Sequence, residues 1–119
     1  MNELENLEDF TLFLLLHMGH VDGSLHPNEK DTILERMREL FPGYTLLNEK
    51  LAEMELMYGK LSFGRAEELL KISLSKFFHI DPAKKKEIYA ALFDIINANG
   101  RVNEEETQTL QLFKGWLTS

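Results

Sequence analysis

One short pattern occurs twice in this chain, and the repeat limits the folds that the chain can adopt. The first copy is Asp-Gly-Ser-Leu at residues 22–25 followed by Glu29, and the second is Asn-Gly-Arg-Val at residues 99–102 followed by Glu106. In both copies a helix-like apolar segment precedes the glycine and an amphipathic segment follows it. The sequence therefore predicts an internal duplication of a helix-turn-helix unit.

Every segment long enough to show a period has helical spacing, and no segment needs a strand. Pro27 and Pro82 suit the first position of a helix, where the missing amide hydrogen has no partner to lose. Thr45, Ser62 and Asp81 are residue types that cap helix starts. With 119 residues, the chain suffices for one hydrophobic core and not for two. We expect an all-α fold, a single compact bundle of about six helices over residues 1–119.

Aligning the two turns gives a constant offset between the halves. It places Leu15 on Leu92, Leu25 on Val102, Glu29 on Glu106 and Ile33 on Leu110. The helices that precede the two turns are both apolar on more than one side, which is typical of buried helices. We therefore expect these two helices to pack against each other at the centre, with the halves related by a pseudo-two-fold axis.

The charge and the cysteine content restrict the functions and the location. A formal net charge of −7 gives a field that repels phosphate backbones, so no nucleic-acid partner is expected. The chain has no cysteine, which removes disulfides, thiolate nucleophiles and thiolate metal ligands. The longest apolar run is far shorter than a membrane span, and the acidic N-terminus is unlike a secretory signal. We expect a soluble cytoplasmic protein.

Both turns match the second half of an EF-hand calcium loop, in which an oxygen-bearing residue precedes the glycine and a glutamate follows six residues later. The position of the first acidic ligand, however, holds Met18 in one copy and Ile95 in the other. Neither loop alone can supply a complete calcium cage.

The repeated turns resemble those of the TerB-like family, which is named for bacterial tellurite resistance. The matching segments are residues 21–25 with Glu29 and residues 98–102 with Glu106, and the similarity extends over essentially the whole chain. The resemblance implies an all-helical fold with internal pseudo-symmetry and a cluster of acidic residues that binds a divalent metal. It also implies a non-enzymatic role in stress response through protein partners.

Matched position by position, the resemblance assigns a metal site to Asp22, Glu29, Asn99 and Glu106. Asn99 departs from the aspartate that is usual there; it keeps a carbonyl oxygen but removes one negative charge, which weakens metal affinity. The oxygen donors favour Ca²⁺ or Mg²⁺ over Zn²⁺. Such an ion would tie the end of one helix to the start of the next.

A purely structural explanation accounts for the same residues. Asp22 and Asn99 tolerate turn conformations, and the glycines supply a positive φ. Glu29 and Glu106 in a first helical turn favour the helix dipole, and Asn103 with Glu106 reads as a capping box. In this alternative the chain is an interaction module without metal.

A second alternative is a transition-metal, hydrolase-like site. His17 and His20 share a helix face, and Asp22 and His26 follow closely, so nitrogen and oxygen donors for Zn²⁺ are conceivable. The commoner outcome for a histidine such as His17, within a core-like run, is a hydrogen-bonded interior imidazole. The sequence contains no phosphate loop, nucleophile elbow or zinc-protease motif, and we expect no enzymatic activity.

Overall fold

The computed structural model describes Leu4 and residues 6–21, 25–77, 79–98 and 104–117, except the side chains at 105, 106, 112, 116 and 117. Within these ranges the regular structure is entirely helical, which confirms the predicted all-α fold. The elements are α1 Leu7–His20, α2 Pro27–Leu40, α3 Leu47–Gly59, α4 Phe63–Leu74 with a 3-10 turn at Ser75–Phe77, α5 Pro82–Asn97 and α6 Glu104–Leu117. No helix of the described residues has the length and apolar content that crossing a membrane requires.

Two of the predicted helix caps are confirmed. The Ser62 hydroxyl accepts a hydrogen bond from the backbone N–H of Arg65 at 3.2 Å, and the Asp81 carboxylate accepts one from Ala83 at 3.0 Å. At α1 the same role is taken by Asn6, whose side-chain oxygen lies 2.7 Å from the N–H of Asp9. Each bond satisfies an amide that has no partner within its helix.

The predicted cap of α3 at Thr45 is wrong. The helix begins one residue later, after Leu46, whose side chain forms no capping bond and whose φ is 58°. A leucine in this left-handed conformation costs about 1–2 kcal/mol. The start of α3 is set instead by Leu47, which is buried together with Leu51, and Leu46 is left 64% exposed.

Helix α1 forms the centre of the molecule. Every residue from Phe10 to Gly19 is buried, because α1 contacts α2, α3, α4, α5 and α6. The prediction that this helix is buried on several sides is confirmed. A helix that is apolar all round needs such an enclosure.

The contacts between helices agree with two equivalent halves. Helix α1 packs on α5, α1 also contacts α2, and α5 contacts α6. The crossed contacts, α2 with α5 and α1 with α6, are both present. The predicted central pairing of α1 and α5 is confirmed.

The expectation that α5 is buried on more than one side is only partly right. Ile88, Leu92 and Ile95 are buried as expected, and so is Ile96. Phe93, however, is 46% exposed. The reason is that α3 and α4 pack chiefly on α1, and within the described ranges they make at most marginal contact with α5.

Candidate functional site

The structure describes only one of the four predicted metal-site side chains. Asp22 and Asn99 lie outside the described residues, and so does the side chain of Glu106. The predicted capping box at Asn103 also falls outside them. Glu29 is therefore the position at which the first turn can be assessed.

Glu29 lies in the first turn of α2 and is fully buried. Its Oε1 accepts a hydrogen bond from the backbone N–H of His26 at 2.9 Å. His26 precedes the first helical residue, Pro27, so this contact is the glutamate half of a capping box. A carboxylate at a helix N-terminus is also stabilised by the helix dipole. Glu29 thus has a structural role whether or not an ion binds nearby.

Leu25, the aliphatic residue of the first motif, ties this turn to the core. A Cβ atom at Gly19 would lie 2.5 Å from Leu25 Cδ1, 3.8 Å from Ile33 Cδ1 and 3.9 Å from Ile95 Cγ2. The absent side chain at Gly19 is what lets Leu25 approach α1 this closely. Leu25 is therefore anchored where α1, α2 and α5 meet.

The histidine candidate is part of an aromatic cluster. His17 is fully buried in α1, and its Nδ1 lies 2.9 Å from the hydroxyl oxygen of Tyr58. The ring of Phe63 is 4.7 Å from that of His17, centroid to centroid. His20 stacks on Tyr58 at 4.6 Å. The cluster joins the C-terminal part of α1 to α3 and to the start of α4.

Burial sets the protonation states in this cluster. It lowers the pKa of His17 to about 4, with the positive charge of His20 acting in the same direction. Burial also raises the pKa of the Tyr58 hydroxyl to about 12. At neutral pH the pair is therefore a neutral imidazole hydrogen-bonded to a protonated phenol.

Among the described residues, no group of three or more histidine, aspartate or glutamate side chains is arranged to hold a metal ion. Of the proposed transition-metal set, His17 and His20 share the aromatic cluster, whereas Asp22 lies outside the described residues. His17 packs between Tyr58 and Phe63. Its placement is that of the hydrogen-bonded interior histidine that the sequence also suggested.

A groove of about 330 Å³ lies between α2 and α5. It is lined by Arg36, Glu39, Leu40, Glu87, Ala90, Ala91 and Asp94. Arg36 of α2 bridges to α5, because its Nη1 lies 3.4 Å from Asp94 Oδ2. Its Nη2 lies 3.1 Å from Oε1 of Glu39, which is also on α2. Sequence reasoning missed this groove because the residues of α2 and α5 are far apart in the chain, and only the packing brings them together.

Comparisons with protein-family models, with curated proteins and with solved structures gave no match. The resemblance to TerB-like proteins therefore depends on the repeated turns, the length and the helix content.

Proposed function

We propose that this protein is a non-enzymatic, TerB-like helical domain that acts in the cytoplasm as an accessory or scaffold protein in stress or metal-ion response. An interaction role is supported by a difference between the two central helices: other helices of the chain bury one of them more completely than the other. Helix α1 is enclosed, whereas α5, its equivalent in the repeat, has an open face beside the groove.

The outward residues of α1 are covered by the chain itself. Phe10 contacts the ring of Phe77 at 5.0 Å, and Phe13 contacts that of Tyr58 at 5.6 Å. His17 packs on Phe63. These contacts come from α3, α4 and the 3-10 turn, which all lie between the two copies of the repeat.

The equivalent positions of α5 are exposed among the described residues. Applying the same offset, Phe10, Phe13 and His17 correspond to Glu87, Ala90 and Asp94. All three line the groove beside α2, and Phe93 lies next to them with 46% of its surface exposed. This is the surface that a partner helix can occupy in the way that α3 and α4 occupy α1.

Site-specific cross-linking tests the interaction role. A photoreactive amino acid at position 93 should cross-link a protein in cells, and the same group at Leu56, which is 71% exposed on α3, should not. The cross-linked protein, once purified, should bind the wild type at least about tenfold more tightly than Phe93→Glu. Leu56→Glu should bind like the wild type. Equal cross-linking from both positions, or none from position 93, would contradict the proposal.

We also propose that a divalent cation, Ca²⁺ or Mg²⁺ rather than Zn²⁺, binds at Asp22, Glu29, Asn99 and Glu106. The support is the position of Glu29, which places a buried carboxylate shortly after the first turn. An ion specific for the folded state must raise the melting temperature. A rise with Ca²⁺ or Mg²⁺ that Glu29→Gln abolishes supports the cation. Glu49→Gln, at an exposed position of α3, should leave that rise unchanged.

Two other results of that titration point to the alternatives. No response to any ion means that the turns have only a structural role and that the domain works without metal. A response to Zn²⁺ alone that His20→Ala removes indicates the site at His17, His20 and Asp22.

A further inference from the structure

One strip of α5 lies along the groove beside α2. It consists of Glu87, Ala90, Ala91 and Asp94, which all line the groove and which we call the groove strip. Their spacing of three and four residues places them on one face of the helix. Glu87 and Asp94 are seven residues apart, so they lie about 10 Å from each other along the helix axis. The groove strip is therefore small and apolar at its centre and acidic at both ends.

The equivalent strip of α1 indicates which kind of element fits such a surface. With the offset that aligns the two turns, the groove strip corresponds to Phe10, Phe13, Leu14 and His17. All four are buried, and the rings that cover them belong to α3, α4 and the 3-10 turn. The same place on α5 therefore suits a helix that packs alongside. The alanines let two helix backbones approach closely, because their side chains are single methyl groups.

At one end of the groove, a single cation is shared among three carboxylates. The guanidinium of Arg36 lies 3.1–3.6 Å from the acidic side chains of Glu35, Glu39 and Asp94. Each of these three side chains is at least half exposed. One positive charge that faces three negative charges leaves two of them unbalanced, and they remain accessible from solvent.

At the other end, Glu87 pairs with Lys84 at 3.3 Å and is 53% exposed. The Lys84 ammonium also donates to the Leu40 carbonyl at 2.8 Å and lies over the Phe41 ring, so this cation is held beside the end of α2. Within the described ranges, the ion pairs of the groove thus join four carboxylates to two cations. The surplus negative charge attracts a cationic partner and repels an anionic one.

We propose that the groove strip binds a basic amphipathic helix of another protein, with two lysine or arginine residues seven positions apart and apolar residues between them. The two cations pair with Glu87 and Asp94, and the apolar residues pack on Ala90 and Ala91. This inference rests on the proposed interaction role and names the chemistry of the partner. One short helix buries less than the roughly 1,200 Å² of standard interfaces. We therefore expect a dissociation constant of about 10 µM to 1 mM.

Titration with a synthetic peptide, followed by NMR, tests the proposal. The probe is an alanine-rich helical peptide with two arginines seven residues apart, the spacing of Glu87 and Asp94, and two leucines between them. It should shift the amide resonances of α2 and α5 around the groove and leave those of α3 unchanged. A control peptide with glutamates in place of the arginines should bind at least about tenfold more weakly. Affinity for the arginine peptide should fall as salt is added, since the paired charges are exposed.

Charge-reversed variants make the test specific to the groove strip. Glu87→Lys/Asp94→Lys should bind the arginine peptide at least about tenfold more weakly than the wild type and should prefer the glutamate peptide, because the charges of both partners are then exchanged. Glu53→Lys/Glu68→Lys makes the same change in net charge at exposed positions of α3 and α4 and should keep the wild-type preference. Both variants should retain the helical content of the wild type in circular dichroism, since the changed residues are exposed.

Several outcomes would overturn the proposal. The wild type would then bind both peptides equally, or show no shift with the arginine peptide up to about 1 mM. Shifts that spread equally over α3 would mean non-specific attraction to an acidic surface. If Ca²⁺ or Mg²⁺ alone shifts the groove amides and displaces the peptide, the occupant is a metal ion.

The cross-linking experiment distinguishes failure of this inference from failure of the interaction role. A protein cross-linked from position 93, together with no binding of the arginine peptide, overturns the basic helix as occupant and leaves the interaction role intact. A cross-link to a second copy of this chain has the same meaning. If position 93 gives no cross-link and the peptide does not bind, both proposals are wrong.

Discussion

Helices α1 and α5 hold equivalent positions in the repeat but have different surroundings, and the difference follows from their outward faces. Helix α1 carries aromatic residues there, such as Phe10 and Phe13, and these are covered by Tyr58 and Phe77. Helix α5 carries Glu87, Ala90 and Asp94 at the matching positions and stays open. Within the described residues, α3 and α4 pack on α1 and make at most marginal contact with α5, and this difference makes the two helix pairs asymmetric.

The largest expected effect compares the two helices directly. Phe13→Ala removes a fully buried ring from α1 and should lower the free energy of unfolding by about 3–5 kcal/mol. Phe93→Ala on α5 should cost less than about 1 kcal/mol, because nearly half of that ring is already exposed. Urea denaturation at low protein concentration measures both. Similar losses for the two variants would mean that α5 is as enclosed as α1.

The second effect concerns acid stability, which depends on burial of His17. Its pKa is lowered from 6.5 to about 4 in the folded protein, so the unfolded state takes up this proton first as the pH falls. The contribution of the neutral His17 imidazole to the free energy of unfolding is complete above pH 6.5, decreases between pH 6.5 and 4 and is lost at lower pH. This contribution is at most about 3 kcal/mol.

Denaturation of His17→Gln at a series of pH values tests this expectation. The variant should lose less stability than the wild type between pH 6.5 and 4, since it has no imidazole to protonate. His79→Gln, at an exposed position, provides the control and should follow the wild type. Parallel curves for His17→Gln and the wild type would show that another group governs acid unfolding.

The third effect tests whether the symmetry extends to the turns. Glu29→Ala removes the acceptor for the His26 N–H and should cost about 1–2 kcal/mol. If the second turn is built like the first, Glu106→Ala should cost a similar amount in thermal or chemical denaturation. A loss confined to Glu29→Ala would limit the equivalence to the helices.

The smallest effect concerns the bridge between α2 and α5. Asp94→Asn removes the charge that faces Arg36 at 3.4 Å. Both side chains are partly exposed, so the loss should be no more than about 0.5 kcal/mol. The melting temperature should change little, whereas a loss above about 2 kcal/mol would place Asp94 among the structural supports of the fold.

Local sequence signals predicted the helices correctly. They gave wrong predictions where the packing of one helix on another determines a helix start or the exposure of a side chain. Ser62 and Asp81 are recognisable as caps because their bonds are made within a few residues. Thr45 has the right residue type, but burial of Leu47 sets the start of α3. The exposure of Phe93 depends on where α3 and α4 lie, which periodicity does not specify.

The candidate sites show the same contrast between contacts made within a few residues and contacts made between distant segments. The sequence predicts Glu29 in the first turn of a helix, and the structure has it there. Its hydrogen bond from the backbone N–H of His26 is a contact that the sequence analysis did not predict. The role of Tyr58 beside His17 was not foreseen, because the two residues are joined only by the packing of α3 on α1. The Arg36–Asp94 bridge likewise connects helices that are distant in sequence. All four proposed metal residues, Glu29 included, stay predictions.

The complete enclosure of α1 has a consequence for biosynthesis. This helix leaves the ribosome before α2 to α6, yet its shelter requires all of them. Until α5 and α6 have been translated, a strongly apolar segment stays without its final neighbours, and nascent chains in that state are prone to aggregate. The final surroundings of α1 are therefore complete only after α6 has been synthesised.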